Sequence, residues 1–222
     1  MPSYFRQVPD FEYINTTKDG RNISDYSRVK NLFKRGKLRD DIFGDLSFFT
    51  KYQIIGDERP DNVAYKIYDD ETLDWLVLIA NNIINVQTEW PLSQQAFYNF
   101  LIDKYGSEEV LNQVHHYETI QVKNSIGSTI VPAGLTVPSD YNISYFDVNS
   151  GQRISNNNIT KEITNLEYEE NIQNDKRNIF VLKPIYINVV LNDMEQIMPY
   201  KKGSTQFVNA TLKRGDNIRL FQ

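Results

Sequence analysis

Residues 48–82 read FFTKYQIIGDERPDNVAYKIYDDETLDWLVLIANN, and their punctuation decides the fold class of the chain. Residues 49–55 spell a short strand rich in aromatic and β-branched side chains. Gly56-Asp57-Glu58-Arg59-Pro60 then reads as a turn that places Pro at the first helical position, where its missing N–H costs nothing. Val63, Ala64, Ile67 and Tyr68 share one face of a two-turn helix. Asp69-Asp70 caps a second helix, in which Leu73, Leu76, Ile79 and Ile83 continue a buried face. Trp75, set among Leu and Val on that helix, is a core residue by this reading rather than a ring for stacking a ligand.

Toward the C-terminus, Ser93 is an N-cap for a helix through Phe97, Phe100, Leu101 and Tyr105 that Gly106 ends. A further helical turn spans 108–113. The period then becomes two: His116, Glu118, Ile120 and Val122 alternate with Tyr117, Thr119 and Gln121, and turns follow at Gly127 and at 132–134. Residues 145–148 and 152–154 form a hairpin about Asn149-Ser150-Gly151. Thr164 and Glu167 make a capping box that opens a polar helix to about Asn174. Residues 178–182 read as a strand, and Ile187, Val190, Leu191, Met194 and Ile197 have helical spacing. The tail from Pro199 alternates weakly around Phe207 and shows no partner within the chain. Toward the N-terminus, Thr16-Thr17-Lys18-Asp19-Gly20 breaks an extended arm that holds one short helix near 27–33. The expected class is α+β: an extended N-terminal arm (1–48), a helical core (49–113), a small antiparallel β-element (114–160), a helical C-terminal segment (161–198) and a basic tail (199–222).

The 222 residues are 40% hydrophobic and 13% aromatic, which supplies enough apolar surface for a real core. The absence of cysteine removes disulfides, thiolate chemistry and Cys-based zinc sites. No apolar run approaches the ~20 residues that cross a bilayer, and the N-terminus has no signal-peptide h-region, so synthesis in the cytoplasm is expected. Asn and Ile occur 23 times each and Ala 5 times, the mark of A/T-rich coding DNA. The net charge of −5 is unevenly placed: residues 1–39 carry +5, residues 201–222 carry +4 and the body between them carries −14. Two readings of those basic ends stand side by side: tails that dock on an acidic neighbour, or solvated tails. The cluster Lys34-Arg35-Gly36-Lys37-Leu38-Arg39 is cut short by Asp40-Asp41, where a nucleic-acid stripe would continue, so a protein contact is the expected use.

Catalytic motifs are missing. There is no GxGxxG, no phosphate-cradling GxxxxGK[ST], no HExxH and no EF-hand loop. The two histidines, His115 and His116, are neighbours on a predicted strand. Their side chains should therefore point to opposite faces, which argues against one shared metal ion and for a structural or interface role. The carboxylates at Asp69-Asp70-Glu71 and Glu108-Glu109 sit at helix starts and favour the helix dipole. No enzyme activity, cofactor or metal is expected.

The pattern Tyr52-x-Ile54, Gly56-Asp57, a helix ending at Tyr68 and a second helix ending at Asn81-Asn82 resembles a LysM module, whose arrangement is β-α-α-β. The closing Ile, Gly and Ile-Pro strand of that family is absent, since Ile83-Ile84-Asn85 runs on to Glu89-Trp90-Pro91-Leu92-Ser93. That departure argues against a sugar groove, part of which the loop after the second helix would form. A longer resemblance takes in Tyr26, residues 29–35, Leu38-Arg39-Asp40-Asp41, Phe49-Thr50-Lys51-Tyr52, residues 56–61, Asp74-Trp75, residues 81–83 and 89–93. It extends to His116-Tyr117-Glu118, residues 165–170, residues 176–179 and Leu182-Lys183-Pro184. These motifs are similar to the LysM-like baseplate wedge subunit family of T4-like contractile-tailed bacteriophages.

The resemblance implies a structural, non-catalytic virion protein of the tail baseplate, with the LysM-like core used for protein contact. Its expected partners are other wedge subunits, the sheath initiator and hub-proximal tail proteins. Its expected task is to link neighbouring wedges around the six-fold tail axis, with neither nucleic acid nor membrane as partner. The alternative is a LysM-type peptidoglycan or N-acetylglucosamine-binding protein. The expected contact residues are Tyr4, Phe5, Lys34, Arg35, Arg39, Arg59, Trp90, His115 and His116, of the aromatic and cationic types that anchor interfaces.

Overall fold

A computed structural model describes residues 4–14 and 26–215 of the chain. The break expected at 16–20 lies outside them. The fold is α+β, with short helices and small, mostly antiparallel sheets. It divides into two compact units, one built from residues 1–90 with 178–222, the other from 91–177. The unit boundaries thus fall at 90/91 and 177/178, set by which segments pack together rather than by shifts of local pattern along the chain.

The first unit is organised by the deciding stretch. Strand Phe49–Gln53 leads to helix Pro60–Tyr68, whose first residue is Pro60 and whose Val63 and Ala64 are wholly buried. Asp69 ends that helix in the left-handed region at φ 56°, and the Asp70 carboxylate accepts from the Thr72 N–H to start the turn Glu71–Leu73. Helix Asp74–Ala80 follows, burying Trp75, Leu76, Val77, Ile79 and Ala80. The partner of Phe49–Gln53 arrives more than a hundred residues later. Strand Asn178–Leu182 pairs with it antiparallel, Asn178 opposite Gln53 and Leu182 opposite Phe49. Asn81, just past the second helix, fixes this closing strand. Its side-chain amide donates to the Phe180 carbonyl at 2.7 Å and its Oδ1 accepts from the Phe180 N–H at 2.8 Å, so it satisfies backbone that would otherwise be a sheet edge. The order is strand, helix, helix, strand, with residues 91–177 inserted before the last strand.

The ends of the chain complete this unit. Phe207–Asn209, Leu212–Arg214, Asp10–Ile14 and Tyr26–Lys30 form a four-stranded sheet in that order, the middle pair parallel. Two expectations are corrected here. Residues 26–30 are a strand rather than part of a short helix, because Asp10–Ile14 offers them a full antiparallel register. The tail from Pro199 does have a partner: Leu212–Arg214 adds to Asp10–Ile14, and the Glu12 carboxylate takes Arg28 and Arg214 from the strands on either side. Residues 26–48 also contribute Leu38 and Ile42 to the core, which continues through Val8, Trp90 and helix Ile187–Ile197.

In the second unit, Ser93 caps helix Gln94–Tyr105 and Gly106 ends it at φ 79°. Strand Val114–Thr119 lies between Thr160–Thr164 and Thr136–Val137, and Ile143–Asp147 forms a hairpin with Gln152–Asn156. Thr164 and Glu167 close the capping box of helix Asn165–Lys176. The apolar cluster here is small, Val122, Val131 and Ile159 flanked by Tyr141, Ile143 and Tyr145.

Candidate functional site

The residues expected to make contacts do not converge on one place. In the second unit, strand Val114–Thr119 carries a bulge: Ile163 pairs with His116 and Thr164 with Val114, which leaves His115 as the extra residue. The bulge overturns the expectation that the two histidines face apart. His115 Nδ1 lies 2.8 Å from His116 Nδ1, His115 stacks on Tyr168 at 4.0 Å between ring centroids, and His116 Nε2 lies 3.0 Å from a Glu118 oxygen. Among the described residues no group of three or more His, Asp or Glu side chains is arranged to hold a metal ion. The pair is a hydrogen-bonded and stacked surface feature of strand and helix.

Trp90 is buried in the core of its unit, and its indole N–H donates to the Glu58 carbonyl at 2.9 Å. That bond ties the segment after the second helix to the turn before the first. In the same corner the Glu58 carboxylate accepts from the Tyr52 hydroxyl at 2.8 Å and from Lys66 and the Ile55 N–H. Burial opposes its charge, but these donors outweigh it and hold Glu58 below the usual carboxyl range. Burial, with the Glu58 carboxylate beside it, pushes the Tyr52 hydroxyl up to about 12. Arg59 remains mostly exposed, its Nε 3.3 Å from Asp61.

Tyr4 is half-buried against Trp75, and its hydroxyl accepts from the Gly36 N–H at 3.1 Å. Phe5 packs edge-on to Tyr4 and stays largely exposed at the rim of a groove of about 450 Å³ with Arg35, Asp74, Leu78 and Ile84. Arg35 also reaches Asn82 Oδ1 at 3.3 Å. Arg39 is held by Asp41 at 2.9 Å and Asp193 at 3.4 Å, which raise its pKa further.

Lys34 Nζ donates to the Pro199 carbonyl at 2.9 Å and lies 5.1 Å from the centroid of the Tyr200 ring, while Lys213 Nζ lies 5.1 Å from the same centroid. The two ends that the charge count separates by about 165 positions therefore meet at Tyr200. Beside them stand two residues that pattern reading gave no role. Leu32 is 72% exposed and Phe33 fully so, at the tip of the turn that follows strand Tyr26–Lys30. Only the register of that strand, which the local pattern does not carry, sets where the turn falls.

The protein family described as Base plate wedge protein 53 matches residues 7–130, which span strands Asp10–Ile14 and Tyr26–Lys30, the strand-helix-helix core and the first part of the inserted unit. The chain belongs to that family. It is a structural protein of the phage tail baseplate, and other baseplate proteins are its neighbours. No curated protein matches the chain. No helix among the described residues of this baseplate protein is long and apolar enough to cross a membrane.

Proposed function

We propose that this wedge-family subunit links neighbouring wedges and helps them close around the central hub, and that its strand-helix-helix-strand core is a LysM-like fold turned to protein contact. Family membership supplies the baseplate role. The observation that carries the finer reading is the Trp90 to Glu58 bond. The loop after the second helix and the turn before the first helix, which a glycan groove would keep apart, are tied together here, and the aromatic ring between them is buried. The sheath initiator and hub-proximal proteins are the partners this role requires. Expected contact residues that remain exposed, Phe5, Arg35, Arg39, Arg59 and His115, are available for it.

The test is electron microscopy of purified wedges with and without the full chain, with peptidoglycan sedimentation run in parallel. Closed six-fold rings that form only when the protein is added, with no retention on peptidoglycan, are expected. Retention on peptidoglycan with no effect on the wedges would replace this reading with the sugar-binding one.

A further inference from the structure

The turn at Asn31 to Lys34 is unusually well anchored for one that displays apolar side chains. The Asn31 N–H donates to the Pro9 carbonyl at 2.9 Å, its Oδ1 accepts from the Phe33 N–H at 3.2 Å, and its carbonyl accepts from the Lys34 N–H at 3.0 Å. Its Nδ2 reaches the Tyr200 hydroxyl at 2.8 Å, and Lys34 Nζ binds the Pro199 carbonyl. An Asx turn pinned at both ends holds Leu32 and Phe33 in water in a fixed pose, so a partner meets them at little cost in ordering.

The charge around this turn is equally unbalanced. Arg28, Lys30, Lys37, Arg39 and Arg214 each have a carboxylate within the chain. Among the described residues Lys34, Lys201, Lys202 and Lys213 form no ion pair. Burial, then the charges of Lys213 and Lys201, hold Lys34 below the ordinary lysine value. Like charges crowded about one tyrosine leave a positive field that an external anion would relieve.

We propose that Leu32 and Phe33, with the lysines around Tyr200, form a docking surface for an acidic protein, whose apolar pocket rimmed by carboxylates receives the Phe33 ring. The inference rests on the baseplate reading, since that partner is another wedge protein. A polyanion such as duplex DNA fits less well, because the body of the chain carries −14 and a phosphate backbone offers no pocket for Leu32 and Phe33. A second copy fits less well because the chain's own acidic groove beside Tyr65 has no aliphatic lining to receive Phe33, and two of its three carboxylates are engaged, Glu58 by Lys66 and Asp61 by Arg59.

The experiment titrates the full chain against wedges assembled without it, at low and at physiological salt. The variants are Phe33→Ser and the exposed pair Lys201→Glu with Lys202→Glu, and thermal melts check that each folds. Phe33→Ser should bind roughly 30-fold more weakly with an unchanged melting temperature, as for a central aromatic anchor. The lysine variant should bind about tenfold more weakly, with a flatter salt dependence. Wild-type binding that both variants match would overturn the surface while leaving the baseplate reading intact. Failure of the wild type to bind any wedge would overturn both. Loss of self-association on sedimentation, or of duplex DNA binding, in place of wedge binding would overturn the choice of partner.

Discussion

The two units are held together by different means. In the unit formed by residues 1–90 and 178–222, twenty-one buried apolar residues form one continuous cluster. In the inserted unit the corresponding cluster has three. The buried polar side chains are distributed the other way. Thr119, Asp147, Glu169 and Gln173, the buried polar residues among those described, all lie within 91–177. Each is satisfied: the Thr119 hydroxyl donates to the Pro132 carbonyl at 2.7 Å, Glu169 takes Lys104 at 2.6 Å and the Tyr105 hydroxyl at 2.8 Å, Gln173 accepts from the Leu92 N–H at 3.0 Å, and Asp147 accepts from the Ser150 N–H at 3.2 Å. Apolar burial is non-directional and scales with area, so the first unit is held chiefly by the extent of its packed surface. Hydrogen bonds are directional, and breaking one leaves a buried group without a partner. The inserted unit relies on directional hydrogen bonds where the first relies on apolar area.

The largest test of this contrast is Leu76→Ala, which opens a cavity in the main cluster. It should cost about 3 to 5 kcal/mol. Both tryptophans, Trp75 and Trp90, lie in the first unit, so urea unfolding followed by tryptophan fluorescence reads that unit selectively. A loss seen equally in hydrogen exchange across 91–177 would show that the units unfold as one. Asn81→Ala should cost about 2 to 3 kcal/mol by stripping the Phe180 backbone of both its side-chain partners. The loss should appear first as faster amide exchange in residues 178–182.

Thr119→Val keeps the shape of the side chain and removes only the hydroxyl that joins Pro132 to Leu135. About 2 kcal/mol of destabilisation is expected, confined to exchange within the inserted unit. Little change would mean that its small apolar cluster carries more than the hydrogen bonds do. The smallest effect concerns pH. Glu58 is held below its usual value of 4.5, so its contribution is present above that pH and is lost as pH falls through the lower folded value. The melting temperature of the wild type should therefore fall slightly more steeply between neutral pH and pH values below 4.5 than that of Glu58→Gln. Parallel curves would assign that corner to packing alone.

What the sequence reveals of this molecule is local. Pro60, Ser93, Gly106 and the Thr164 capping box act within one turn of chain, and the elements they start or stop are where their chemistry puts them. Pairing across long separations leaves no such mark. Nothing in residues 49–53 says that their partner is 178–182, and nothing in the weak alternation after Pro199 points back to Asp10–Ile14. Alternation likewise fails at His115, because a bulge depends on the neighbouring strand's register rather than on the residue itself. Composition also does not separate Trp90, an expected contact residue that is buried, from Phe33, which the pattern passes over and which is exposed.

The late arrival of strand Asn178–Leu182 has a consequence for synthesis. During translation the strand Phe49–Gln53 and the two helices emerge long before their closing strand exists. The nascent chain therefore carries an open sheet edge and a half-covered apolar face while residues 91–177 are being made. If the inserted unit folds first, it shortens the effective loop that the closing strand must bridge. The order of emergence from the ribosome then sets a period of exposure to aggregation that ends only once the closing strand and helix Ile187–Ile197 have emerged to cover that face.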